Sequence, residues 1–117
     1  MKLDTVKSKS SIEKIASDIG IDLNTTIDLL KMLLSQTRLT NAELNQAVEL
    51  GSYKDIISFA HDIKGSCGNF RLMDIYETSA TIERMGRNSE DTKEMSKLCS
   101  EIDGMLDWYV EEVRTYQ

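Results

Sequence analysis

Apolar residues return along this chain at steps of three and four, the spacing of one face of an α-helix. Ser10-x-x-Glu13 reads as a capping box opening a short first helix, and Gly20 can close it in the left-handed conformation. The stretch "IDLNTTIDLLKMLLSQTRLTNAELNQAVELG" then predicts one long helix from near Asn24 to Gly51. Its apolar positions are Ile27, Leu30, Leu34, Leu44, Ala47 and Val48. Thr40-x-x-Glu43 has the form of a second capping box, which allows a kink or break near residues 38–40. Ser52 and Asp55 open a third helix. A fourth is expected over residues 72–85, with Ile75, Ser79 and Ile82 inward and Gly86 closing it. Ser89 is expected to cap the last, with Glu90 and Asp91 in its first turn. There Met95, Leu98, Cys99, Ile102, Met105, Leu106, Tyr109, Val110 and Val113 form a bundle-type seam.

Loops of a few residues between long helices force antiparallel neighbours. The fold class is therefore all-α: an antiparallel up-down-up-down four-helix bundle with a short additional N-terminal helix. A length of 117 residues fits a single domain over the whole chain. Composition agrees, because the chain has no proline and Leu, Ile, Met, Glu, Lys and Ala dominate over Val.

Charge and cysteine content narrow the function classes. A formal net charge of −6 without a basic stripe argues against nucleic-acid binding, which needs Lys and Arg against the phosphates. No apolar run is long enough for a membrane span, and the N-terminus "MKLDTVKSKSS" lacks a secretory core, so a cytoplasmic location is expected. Cys67 and Cys99 have no CxxC spacing and read as reduced packing residues. With a single histidine they form no recognisable metal ligand set.

The informative stretch is "AHDIKGSCGNF", residues 60–70, which places the only histidine beside two glycines on a helix. A helix-interior glycine costs about 1 kcal/mol relative to alanine. With His61 at zero on a helical wheel, Phe59, Ile63 and Phe70 fall at roughly 160°, 200° and 180°, and Ile56 and Cys67 at roughly 220° and 240°. The histidine thus lies opposite the apolar stripe. Gly65 and Gly68 follow on its own face within about 40°, with Lys64 one turn on. An exposed imidazole followed by bare backbone is suited to close approach by another macromolecule.

Imidazole titrates near neutrality and can act as a nucleophile. A neighbouring ammonium such as Lys64 can offset charge on a phosphoryl group carried by the ring. No carboxylate or Ser-His-Asp arrangement can be argued around His61 from sequence. The chain also has no P-loop or kinase motif, so a partner must donate any phosphoryl group.

At these residues the sequence resembles the histidine-containing phosphotransfer domains of multistep two-component phosphorelays. His61, Lys64, Gly65 and Ser66 match the family pattern, and Gly68 occupies a place where small residues are common. "ELNQAVELGSYKDIISFAHDIKGS" matches the approach to the histidine, and "IYETSATIE" has the small residues and terminal Glu of the next helix. The resemblance spans about residues 27–83, the last helix being supported by architecture alone. Arg71 departs from it, standing where the family usually has glycine.

The resemblance implies that His61 accepts a phosphoryl group, at Nε2, from a receiver-domain aspartyl phosphate and passes it to a second response-regulator receiver. Lys64 would stabilise phosphoryl charge, and Ile57, Ser58, Gly65 and Gly68 would form the docking surface. The chain would be a phosphoryl carrier rather than an autonomous kinase. It would have no cofactor of its own, with Mg²⁺ supplied by the receiver. Implied partners are receivers and a hybrid sensor histidine kinase, with no nucleic acid or membrane partner, and a monomer is the default. Two alternatives stay open. One is a helical receiver-binding module without phosphotransfer. The other is the phosphoryl-accepting domain of a chemotaxis-type histidine kinase, against which the initiator Met and the complete bundle argue for a free-standing protein.

Overall fold

A computed structural model describes residues 11–116. They form five α-helices and no strand: α1 (Ile12–Ile19), α2 (Leu23–Leu50), α3 (Tyr53–Asn69), α4 (Met73–Arg87) and α5 (Thr92–Arg114). Helix α2 packs on α3 and α5, and α4 packs on α3 and α5, which closes a four-membered ring of helices. The short connections make ring neighbours antiparallel, as expected. Helix α1 packs on α2.

The core is one cluster drawn from every helix. Ile12 and Ile15 enter it from α1, Leu30 and Leu44 from α2, and Ile56 and Ile63 from α3. Ile75 and Ile82 come from α4, and Met95, Ile102, Leu106 and Tyr109 from α5. Met105 and Val110 of the expected α5 seam are only partly buried, at its edges. Buried polar groups are tied in at specific points. The Tyr109 hydroxyl donates to Asp74 Oδ1 at 2.7 Å, pinning α5 to the start of α4.

Several helix ends differ from the sequence reading. Ser10 lies outside the described residues, and α1 is capped by Ser11, whose Oγ accepts from the Lys14 amide at 3.1 Å. Helix α2 begins at Leu23, within one residue of the expected start, and the Asp22 carboxylate caps it by accepting from the Thr25 amide. No break occurs at residues 38–40. Thr40 Oγ1 donates back to the Gln36 carbonyl instead of capping. Contacts with α5 hold the helix through this region: Arg38 reaches Asp107 at 2.7 Å, and Asn41 Nδ2 donates to the Cys99 carbonyl at 3.0 Å. Tertiary anchors here override a local capping signal.

At α3, the Ser52 side chain makes no capping bond to the backbone and instead donates to Asp55 Oδ2. Gly86 does not close α4, which continues to Arg87. A Cβ at Gly86 would lie 3.1 Å from side-chain carbons of both Ile56 and Ile57. This glycine therefore sits at a close α3–α4 contact rather than at a helix end. Ser89 is likewise no N-cap. It lies in the left-handed region with φ 52°, and Asp91 caps α5 by accepting from the Lys93 amide at 2.8 Å. Gly20 and Gly51 do close their helices in the left-handed region, at φ 78° and 66°.

Candidate functional site

Helix α3 buries Ile56, Ala60, Ile63 and Cys67, which turns the opposite face outward. Phe59 and Phe70 flank this stripe and are partly buried. The His61 side chain stands on the outward face with 61% of its surface exposed. Ser58 is exposed beside it and Ile57 is half-buried.

The two glycines beyond the histidine have different surroundings. A Cβ at Gly65 would meet nothing within 4 Å, so the surface one turn from His61 is open. A Cβ at Gly68 would lie 2.8 Å from the Tyr76 ring of α4. Gly68 is thus required small by its own neighbour, which the helical wheel of α3 alone does not show. Lys64, Gly65, Gly68, Asn69, Arg71, Met73 and Tyr76 line an open cleft of about 330 Å³.

Arg71 forms the α3–α4 turn with φ 61°, the left-handed conformation for which glycine is favoured. Its amide bonds the Gly68 carbonyl, and the Leu72 amide bonds the Cys67 carbonyl at 2.9 Å, closing the helix end. A side chain in this conformation costs about 1 kcal/mol.

The residue that sequence reasoning missed is Glu83. It projects from α4 toward α3 with only 7% of its side chain exposed, and its Oε2 lies 3.1 Å from His61 Nδ1. His61 therefore has a carboxylate partner that could not be argued from sequence. Lys64 Nζ approaches Oε1 at 2.7 Å, so the lysine is engaged by Glu83 in this structure. Arg87, one turn further along α4, donates to Oε2 at 2.8 Å. One carboxylate is shared by three nitrogen groups from two helices.

Desolvation of Glu83 is the largest single influence on its titration and pushes it upward. The hydrogen bonds from Lys64, Arg87 and His61 together outweigh it, and the carboxyl is held down at about 2. Glu83 is consequently ionised near neutrality, and an ionised carboxylate only accepts hydrogen bonds. The contact with His61 then requires the proton on Nδ1. Nε2 of the neutral ring keeps its lone pair.

Among the described residues no cluster of three or more His, Cys, Asp or Glu could hold a metal ion. No helix among them is long and apolar enough to cross a membrane.

The family model of the Hpt domain, the histidine-containing phosphotransfer domain, matches residues 28–116. The chain belongs to the Hpt domain family. The match begins inside α2 and continues through α5, so it extends the resemblance read from the histidine motif and leaves α1 outside. Hpt domains serve histidine phosphotransfer in phosphorelays and interact with response-regulator receivers and kinases. Neither the curated proteins nor the solved structures gave a significant match to this chain.

Proposed function

We propose that His61 accepts a phosphoryl group at Nε2 from the aspartyl phosphate of a response-regulator receiver, then passes it to the aspartate of a second receiver. The observation that carries this reading is the ring's placement. It stands exposed on α3 while Nδ1 is engaged by buried Glu83, which leaves Nε2 as the nucleophilic nitrogen.

In the accepting step the Nε2 lone pair forms a bond to phosphorus. The bond from phosphorus to the receiver's carboxylate oxygen breaks, and its electron pair leaves with that carboxylate. The ring, now bonded at Nε2 and still protonated at Nδ1, becomes cationic. Glu83 faces that proton and stabilises the charge. Lys64, 2.7 Å from Glu83 Oε1, is one turn from the ring and can shift its ammonium toward the phosphoryl oxygens. The receiver would bring Mg²⁺ and most of the transition-state charge stabilisation. Ile57, Ser58 and Gly65 would form the docking surface, with Gly68 contributing by admitting the Tyr76 ring beside it.

Incubation with phosphorylated receiver domains from the same organism tests the reading. Acid-labile, base-stable label should appear on the wild type and be absent from His61→Gln, with helicity unchanged. Binding without label would favour the receiver-binding module. Label obtained only from an ATP-charged kinase domain would favour the kinase-fragment alternative.

A further inference from the structure

The Glu83 carboxylate is held by groups of different shape, and that difference assigns them different work. The last torsion of a glutamate is soft, so the plane of its carboxylate is set by its donors. The Lys64 ammonium is a compact point charge with rotatable hydrogens; it draws Oε1 across 2.7 Å without fixing a plane. Arg87 presents a planar, rigid set of donors, and its Nη2 lies 2.8 Å from the same Oε2 that faces His61. Glu83 and Arg87 are also four residues apart on α4 with the acid first, the favourable order for such a pair.

We infer that Arg87 is a positioning residue: it orients the Glu83 carboxylate so that Oε2 accepts the Nδ1 proton of His61, and thereby keeps Nε2 unprotonated. Arg87 acts only through Glu83. Its side chain is 60% exposed and can hold the carboxylate without occupying the outward face of the ring. Without it, Lys64 still neutralises Glu83, but the carboxylate is free to turn. His61 then divides between its two neutral tautomers, one of which has its proton on Nε2 and so has no lone pair there to attack phosphorus.

The effect on transfer rests on His61 being the acceptor, whereas the tautomer does not, so two readouts separate the two claims. The first is the ring ¹⁵N spectrum of the unphosphorylated full chain, recorded where the imidazole is neutral; the single histidine makes assignment direct. Wild type should show Nδ1 protonated and Nε2 bare. Arg87→Gln should draw the two nitrogen shifts together, in the direction taken by Glu83→Gln, with helicity unchanged. Arg87→Lys, which keeps the charge without the planar donors, should fall between wild type and Arg87→Gln. The second readout is acceptance of label from a phosphorylated receiver that loads the wild type. It should drop in Arg87→Gln by about two- to tenfold, the range of one lost hydrogen bond. An Arg87→Gln spectrum matching wild type, or full restoration by Arg87→Lys, would overturn the inference. Loss of label acceptance by the wild type itself would instead remove the acceptor reading and leave the tautomer result standing.

Discussion

Gly68 of α3 and Tyr76 of α4 meet where a side chain would otherwise stand: a Cβ on the glycine would lie 2.8 Å from the ring. One turn earlier, Gly65 faces open space. The two glycines of the histidine helix are small for different reasons, and substitutions should separate them. Gly65→Ala should raise the melting temperature, by about 1 kcal/mol of stability from helix propensity. At Gly68 the same gain is opposed by a clash of about 1–3 kcal/mol, so Gly68→Ala should melt below Gly65→Ala. Equal melting temperatures would contradict the Tyr76 contact.

A larger side chain at Gly65 should affect docking without affecting the fold. Gly65→Gln places a long group on the exposed face one turn from His61, where its Cβ would meet nothing within 4 Å among the described residues. Its circular dichroism should match wild type, while phosphoryl transfer from a receiver should slow by at least about tenfold, equivalent to about 1.4 kcal/mol of lost transition-state binding. Unchanged transfer would place the docking surface elsewhere.

The Glu83 network should be visible as a dependence of stability on pH. The carboxyl titrates at about 2 in the folded chain against an ordinary value of 4.5. The folded state therefore favours the ionised form, so the contribution is fully present above about pH 4.5 and is lost as pH falls through about 2. Glu83→Gln removes it. Melting temperatures of wild type and Glu83→Gln should differ most near neutrality and converge as pH approaches 2. A constant gap over that range would contradict the pairing.

Arg71 holds φ 61°, and glycine adopts that conformation without the Cβ penalty. Arg71→Gly should raise stability by up to about 1 kcal/mol, measured by chemical denaturation. It should leave phosphoryl acceptance by His61 intact, since the turn lies beyond the ring. A fall in stability would show that the arginine side chain outweighs the strain.

Much of this was legible in the sequence for identifiable reasons. The repeat of apolar positions in α2, α3 and α5 reports a single buried stripe on each, which is enough to give the bundle and to turn His61 outward. The resting geometry of the site was not legible, because it depends on register between helices. His61 and Glu83 are 22 positions apart on antiparallel elements, and no spacing within one helix pairs them. The same limitation explains Gly68 and Gly86, whose neighbours Tyr76, Ile56 and Ile57 all belong to the facing helix. Helix ends were misplaced where two capping residues competed, as with Ser89 and Asp91. The small and acidic residues of "IYETSATIE" were the one local hint that the face of α4 toward the histidine is specialised.

The central claim is that Nε2 is the atom of His61 that carries the phosphoryl group. Long-range ¹H–¹⁵N and ³¹P spectra of the ¹⁵N-labelled protein, loaded by a phosphorylated receiver, test it directly. The account predicts phosphorus coupled to Nε2, with the proton retained on Nδ1 opposite Glu83. Phosphorus on Nδ1, or a loaded protein whose imidazole carries no phosphorus, would contradict it.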